Sequence, residues 1–235
     1  MPKQAASVTK ALADLASILA SDAPHKTGSL RIHFPSTVVT EPGTRLTKAA
    51  TATEPTSYSV SATALNNIAL PNCDLSPVTS TTFTTSAADD DDTTAIPNIS
   101  KYMIVALDLD APFPSWPVLG PVLHGVQADL SLATSRIDPD DEFIQLDFGD
   151  ESTRGSRSVV SYARPGPPPP SSPHRYVFLL WEQPKELTTA KMREVLGFVE
   201  GQEIGVLGRA RWDQEAFEKK LGLKNVVAQN YFVCC

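Results

Sequence analysis

Three short, strongly apolar runs constrain this chain more than any other feature: Tyr102-Met-Ile-Val-Ala-Leu107, Val122 to Leu130, and Tyr176-Val-Phe-Leu-Leu-Trp181. Each is rich in β-branched or aromatic residues and bounded by Pro, Gly or Asp, so each reads as a central strand. Leu30-Arg-Ile-His-Phe34 alternates apolar and polar residues as a half-buried strand does, which puts His33 on the solvated face. Tyr58-Ser-Val60 and Phe143 to Phe148 are weaker strand candidates, and Val226 to Val233 is a good closing strand. Helical spacing occurs near the ends. Ser7 caps Val8, Leu12, Leu15 and Leu19, giving an N-terminal helix within residues 1–22 that Asp22-Ala-Pro24 stops. Met192, Val195, Leu196 and Val199 share a face after a Thr188/Thr189 cap. Asp213 caps a last helix, with Trp212 and Phe217 placed as a hydrophobic staple and Gly222 as the stop. Strands outnumber helices and arrive mostly without helices between them, so the expected fold is mainly β with terminal helices, in one domain over 1–235.

Composition narrows the field further. With 235 residues, 41% hydrophobic and 20% charged, a chain of this size buries roughly 70–75% of its unfolded surface and needs no disulfide staples. Its 20 prolines outnumber its 12 glycines, which favours turns and fixed loops over a helix bundle. A net charge of −7 speaks against nucleic acid and against anionic lipid, both of which need a basic face. Cys73, Cys234 and Cys235 cannot form a paired framework, so the thiols read as free in a reducing compartment. Cys234-Cys235 reads as a strand end rather than a lipid acceptor, because no polybasic stretch precedes it and the Cys-a-a-X order is missing. The start lacks a secretory layout and no run reaches the ~18 residues of a membrane span. The expectation is a cytoplasmic protein without a stable membrane anchor. Asp89-Asp-Asp-Asp92 lacks the spacers and turn glycine of a Ca²⁺ loop and reads as solvated surface. Arg164-Pro-Gly-Pro-Pro-Pro-Pro170 reads as a stiff loop aimed at a pocket rather than as a ligand for an SH3-type domain.

Several chemistries are absent from the sequence. There is no Gly-x-Ser-x-Gly elbow, His-Glu-x-x-His, glycine-rich phosphate loop or Cys-x-x-Cys. The four histidines, His25, His33, His124 and His174, have no zinc-site spacing, and neither a metal nor an organic cofactor is indicated. By period two, His124 shares a face with Val122, Val126, Ala128 and Leu130, the pattern of a satisfied core histidine. His174 opens a strand after the proline loop, beside Arg175 and Tyr176. Asp108 and Asp110 end the first central strand and run into the turn Ala111-Pro112.

Taken in order, these segments are specific. Leu107-Asp-Leu-Asp-Ala-Pro112, then Leu123-His124, a proline-rich loop, and His174-Arg-Tyr-Val-Phe-Leu-Leu180 with Glu182-Gln183 resemble the phosphatidylethanolamine-binding protein family. That family reads Asp-Pro-Asp-Ala-Pro, Leu-His-Trp and Gly-x-His-Arg-Tyr-Val-Phe-Leu at these places. Val39-Thr-Glu-Pro-Gly43 with Leu46 is similar to its early strand pair. Phe217 to Leu223 with Val227-Ala-Gln-Asn-Tyr-Phe232 is similar to its last helix and strand. The resemblance covers nearly the whole chain, with a loop insertion somewhere in 61–98. It implies antiparallel β-sheets in a sandwich with flanking helices, and a small anion-binding pocket lined by Asp108, His124, His174 and Tyr176. Asp110 and Arg175 would form a structural pair at its base. The chain departs from the pattern at Leu109, Val122, Gly125, Pro173 and Phe232, so the expected rim is less aromatic and wider.

Two functional classes stay open under the resemblance. One is a pocket redeployed on carboxylate or anhydride intermediates, as in fungal relatives implicated in coupling maleic-anhydride-type monomers into maleidrides. There His124 and His174 would be donors or proton carriers, Asp108 the orienting carboxylate and Tyr176 a hydrogen-bond donor, acting on a small phosphate- or carboxylate-bearing partner. The other is a non-enzymatic module that binds phospholipid head groups or regulates a carboxypeptidase or kinase, with its protein partner unassigned.

Overall fold

A computed structural model of the chain describes residues 29–66, 100–133, 142–148, 158–200 and 203–235, and among these described residues there are ten strands and four helices. The expected N-terminal helix, Cys73 and the Asp89 to Asp92 run lie outside the described residues. The strands are β1 (Leu30–Phe34), β2 (Thr37–Val39), β3 (Thr44–Leu46), β4 (Ser57–Ser61), β5 (Lys101–Asp108), β6 (Val122–Leu132), β7 (Phe143–Asp147), β8 (Ser158–Val160), β9 (His174–Gln183) and β10 (Val226–Cys234). The helices are α1 (Ala62–Asn66), α2 (Thr189–Leu196), α3 (Val206–Arg209) and α4 (Gln214–Leu221). The three apolar runs become β5, β6 and β9. The neighbours run β2-β1-β4-β7-β6-β5-β9-β10-β3, with β8 on β6. Every pairing is antiparallel except β3 with β10.

The two sheet faces are covered differently. On one, the sheet curls over so that β1 and β4 pack across β9 and β10: Leu30, Ile32, Tyr58 and Val60 meet Ile104, Tyr176, Phe178 and Phe232 in one buried cluster. The Asn230 amide fastens the curl by donating to the Leu30 carbonyl at 2.6 Å. The other face carries Met103, Val105, Leu107, Leu123, Val177, Leu179 and Trp181, roofed by Met192 of α2 and by Phe217 and Leu221 of α4. Both helices close as their sequences require. Thr188 and Asp213 accept from the backbone N–H of Lys191 and Ala216 at 3.2 and 2.9 Å. Gly197 and Gly222 end the helices in the left-handed region, and Trp212 and Phe217 touch with ring centroids 5.3 Å apart.

Four expectations are corrected. Gly197 stops α2 before Val199, which is 67% exposed and off the helix face. β2 and β3 do not pair with each other: β2 joins β1 and β3 joins β10, at opposite ends of the strand order. Gly43, at φ +81 between them, lets the chain cross over, and a Cβ there would meet the Tyr231 hydroxyl at 3.1 Å. His33 is half-buried and its Nε2 lies 2.9 Å from the Ser59 hydroxyl. The strict period assumed for β6 is also wrong, because the strand carries two extra residues. Met103 is opposed by both Ala128 and Asp129, and His124 is squeezed between the pairs Ala106–Gly125 and Leu107–Leu123. Each extra residue moves the following side chains to the other face.

Candidate functional site

The bulge at His124 decides where the site forms. Leu123 joins Val126 and Ala128 on the helix-covered face, while the His124 ring turns the other way and meets Tyr176 edge-on, centroids 5.0 Å apart. His124 thus does not share a face with Val126 and Ala128. A period-two reading cannot see this, since the extra residue depends on pairing with β5. Asp108 ends β5 directly opposite Tyr176, and His174 lies two residues before Tyr176 on the same face of β9. Cross-strand geometry therefore gathers Asp108, His124, His174 and Tyr176. They are 4, 8, 1 and 2% exposed.

The two imidazoles are held differently. His174 Nδ1 lies 2.8 Å from Asp108 Oδ2, and its Nε2 lies 3.1 Å from the Pro112 carbonyl and 2.9 Å from the Ser171 hydroxyl. A carboxylate and a carbonyl can only accept, so both ring nitrogens carry protons and His174 is an imidazolium. Burial opposes that charge, yet the bond to Asp108 and the charges of Asp108 and Asp110 outweigh it and raise the His174 pKa. His124 Nδ1 lies 2.7 Å from the Ala163 carbonyl, which fixes the proton on that nitrogen. Its Nε2 is left as a lone pair, 4.0 Å from Asp108 Oδ2. Burial depresses the His124 pKa, with Arg209 and His174 adding to the effect against Ala163 and Asp108. The two rings are biased in opposite directions, His174 toward the cation and His124 toward the neutral base.

The fourth member is unsatisfied. The Tyr176 hydroxyl is buried in hydrogen-bond geometry with no partner, although the Asp108 carboxylate and the Gly166 backbone lie close by. Burial first, then the Asp108 charge, pushes its pKa upward, so the phenol stays a neutral donor. Its ring is fixed by stacking on Phe232 at 5.3 Å, which in turn meets Phe34 at 5.6 Å. Phe232 is therefore wall support, and fully buried. At the base, Arg175 makes a two-pronged bond to Asp110, at 2.8 and 2.6 Å, and its backbone N–H donates to the same carboxylate. The Asp110 backbone N–H donates to Asp108 at 2.8 Å, linking this pair to the site. Among the described residues no cluster of His, Cys, Asp and Glu has the makings of a metal site.

The rim departs from expectation at Gly125. A Cβ there would lie 3.4 Å from Tyr162 Cα and 3.6 Å from the Val160 carbonyl. The space of an aromatic is taken by the 160–162 backbone, so the rim is closed rather than widened at this point. One row further along the same face, a shallow cleft of about 20 Å³, room for about one water, is lined by Ala106, Ile104, Phe178, Tyr58, Phe148 and Tyr162 among others. The sequence reading missed the Ala163 and Pro112 carbonyls, the Ser171 hydroxyl and Arg209. Backbone carbonyls have no sequence signature, and the only available hint was the proline loop aimed at the pocket.

The family model for phosphatidylethanolamine-binding protein matches residues 38–231. The carboxypeptidase Y inhibitor of Saccharomyces cerevisiae is 34% identical over 135 residues, 56% of this chain and 58% of the inhibitor, so the match spans somewhat over half of that relative's length. The crystal structure of carboxypeptidase Y inhibitor complexed with the cognate proteinase has the same fold, with a TM-score of 0.55 at 21% identity, covering 96% of this chain and 91% of that one. The phosphatidylethanolamine-binding protein from Plasmodium vivax matches at TM-score 0.52 and 14% identity, over 94% of each chain. With the ordered motifs, the mainly β sheet and the family model in agreement, this chain belongs to the phosphatidylethanolamine-binding protein family.

Proposed function

We propose that the Asp108, His124, His174 and Tyr176 cluster binds a small oxyanion, a phosphate or carboxylate group. The observation that carries this reading is the buried Tyr176 hydroxyl, without a well-formed hydrogen bond, on a ring that His124 meets edge-on. A buried donor without an acceptor costs about 1–3 kcal/mol, and an entering oxygen removes that cost. His174 and Asp108 act as a fixed ion pair that shapes the wall; the His174 N–H groups are already engaged, so it contributes charge rather than a free donor. His124 is the proton carrier: it accepts a proton at Nε2 as the anion arrives and then donates to it.

The narrower form of the proposal is metabolic. A carboxylate or anhydride monomer of maleidride type would place its charged group at Tyr176. The competing reading, a protease-inhibitory module, is favoured by the similarity to the yeast inhibitor.

Phosphate and maleate titrations, followed by the ring resonances of His124, test the pocket itself. Saturable shifts that Tyr176→Phe weakens support it; no shift with either anion at millimolar concentration defeats it. Incubation with diacid or anhydride monomers then tests turnover, which must vanish in the His124→Ala, His174→Ala double variant. Nanomolar inhibition of a serine carboxypeptidase, unaffected by that double variant, would assign the function to the surface instead.

A further inference from the structure

Arg209, the last residue of α3, is buried without an ion-pair partner. It is 6% exposed, and among the described residues no carboxylate lies within 4.0 Å of it. The contrast with its neighbours in type is plain: Arg175 is clamped by Asp110 at 2.6 Å and Arg193 reaches Glu200 at 3.1 Å. Arg209 instead donates to the Ile204 carbonyl at 2.8 Å, the Leu123 carbonyl at 3.3 Å and the Ser161 hydroxyl at 3.3 Å. Burying an unmatched guanidinium is costly, and burial lowers the pKa of Arg209 against a partial counter-effect of Glu203.

Two of those bonds end on the segments that hold His124. Leu123 precedes it in β6. Ser161 lies two residues before Ala163, whose carbonyl meets His124 Nδ1 and whose N–H donates to the His124 carbonyl at 2.6 Å. We propose that Arg209 is a positioning residue of the oxyanion pocket: it braces both segments around His124 and adds a positive charge near the ring that, among the described residues, no carboxylate meets in an ion pair. This inference rests on the oxyanion reading above.

The charged and titratable groups acting on His124 are Asp108 from β5, His174 and Tyr176 from β9, and Arg209 from α3, together with the Ala163 carbonyl dipole. Asp108 favours a proton on His124 while His174 and Arg209 oppose it, and Arg209 is itself partly offset by Glu203. A buried cation so placed does two things. It opposes a second proton on His124 while no anion is present, and it attracts a doubly charged oxyanion more than a singly charged one. The pocket is therefore tuned for a dianion, hydrogen phosphate or a dicarboxylate, and binding takes up a proton at His124 Nε2.

The test uses the full chain, inorganic phosphate as the probe, and the variants Arg209→Gln, Arg209→Met and Arg209→Lys. The neutral variants come in two shapes so that one misfolded protein does not end the experiment. In either neutral variant the His124 titration, read by ring ¹⁵N resonances, rises by about one pH unit, a tenfold gain in proton affinity. Arg209→Lys keeps the wild-type midpoint. Calorimetry in buffers of different ionisation enthalpy shows proton uptake with phosphate in the wild type, and a roughly tenfold weaker affinity in the neutral variants. An unchanged His124 midpoint in a folded neutral variant overturns the proposal, because a merely structural arginine would lower thermal stability and leave that midpoint alone. Phosphate binding without proton uptake also overturns it. Failure of the wild type to bind phosphate or maleate at all defeats the oxyanion reading, while the titration still judges the effect of Arg209 on His124.

Discussion

At Asp129 and at His124, strand β6 uses the same backbone device, one residue too many for its partner β5, to opposite ends. Asp129 sits in the left-handed region at φ 55, and everything it offers is taken. Its carboxylate accepts from Lys101 at 2.9 Å, Gln183 at 3.0 Å and Thr189 at 2.5 Å, and its N–H donates to Gln183 at 2.8 Å. That bulge ties β5, β9 and the start of α2 together. The bulge at His124 turns an imidazole edge-on to the Tyr176 ring and leaves its Nε2 as a lone pair. A bulge whose polar groups are matched is a lock; the one at His124 leaves polar groups over, and the proposed oxyanion reading rests on them.

The sharpest way to break this comparison is to remove a carboxylate from each region and measure urea stability. Asp108→Ala leaves the His174 imidazolium buried and unpaired, a loss of about 3–5 kcal/mol. Asp129→Ala should lose less, about 1–3 kcal/mol, since Lys101 at the sheet edge can return to water. The reverse order would mean that the Asp129 region, not the His cluster, holds the larger electrostatic share of the fold.

Next in size are two opposed pH dependences, each worth about 1.4 kcal/mol per unit of pKa difference. His174 has a raised native pKa. Its contribution is fully present below the unfolded value near about 6.5 and fades as pH climbs through the native value, so the stability gap between wild type and His174→Gln narrows in alkali. His124 has a lowered native pKa. The wild type loses stability as pH falls below about 6.5, where the unfolded chain takes a proton that the native ring refuses. His124→Gln escapes that loss and gains on the wild type in acid. Parallel curves for the two variants would sink the assignment of one cation and one neutral ring.

The smallest expected effect is also the most telling. Tyr176→Phe removes a hydroxyl that makes no well-formed hydrogen bond, so stability should change by no more than about 1 kcal/mol, while phosphate-induced shifts at His124 weaken. A large loss of stability would mean that the hydroxyl is already spoken for.

Much of the architecture could be read along the chain because the signals are local. Caps at Thr188 and Asp213, the Trp212–Phe217 staple, the stop at Gly222, and the apolar runs of β5, β6 and β9 depend on neighbours in sequence. The ordered motifs also named the four side chains that meet. What stayed hidden has a common cause, dependence on a partner strand or loop distant in sequence. The face of His124 follows from pairing against Ala106 and Leu107, the separation of β2 from β3 from the crossing at Gly43, and the placement of Arg209 from a short helix with no apolar period of its own.

Residue types and their order thus determined by themselves that the chain is mainly β and, through the family resemblance they carry, which two imidazoles, carboxylate and phenol to look for together. Only the tertiary structure decided which imidazole is charged, which is neutral and which hydroxyl is left over. Protonation is set by the acceptors and charges within a few ångströms of a ring. Those here are the Asp108 carboxylate, the Ala163 and Pro112 carbonyls and the Arg209 guanidinium, brought together by strand register and loop closure rather than by adjacency in the chain.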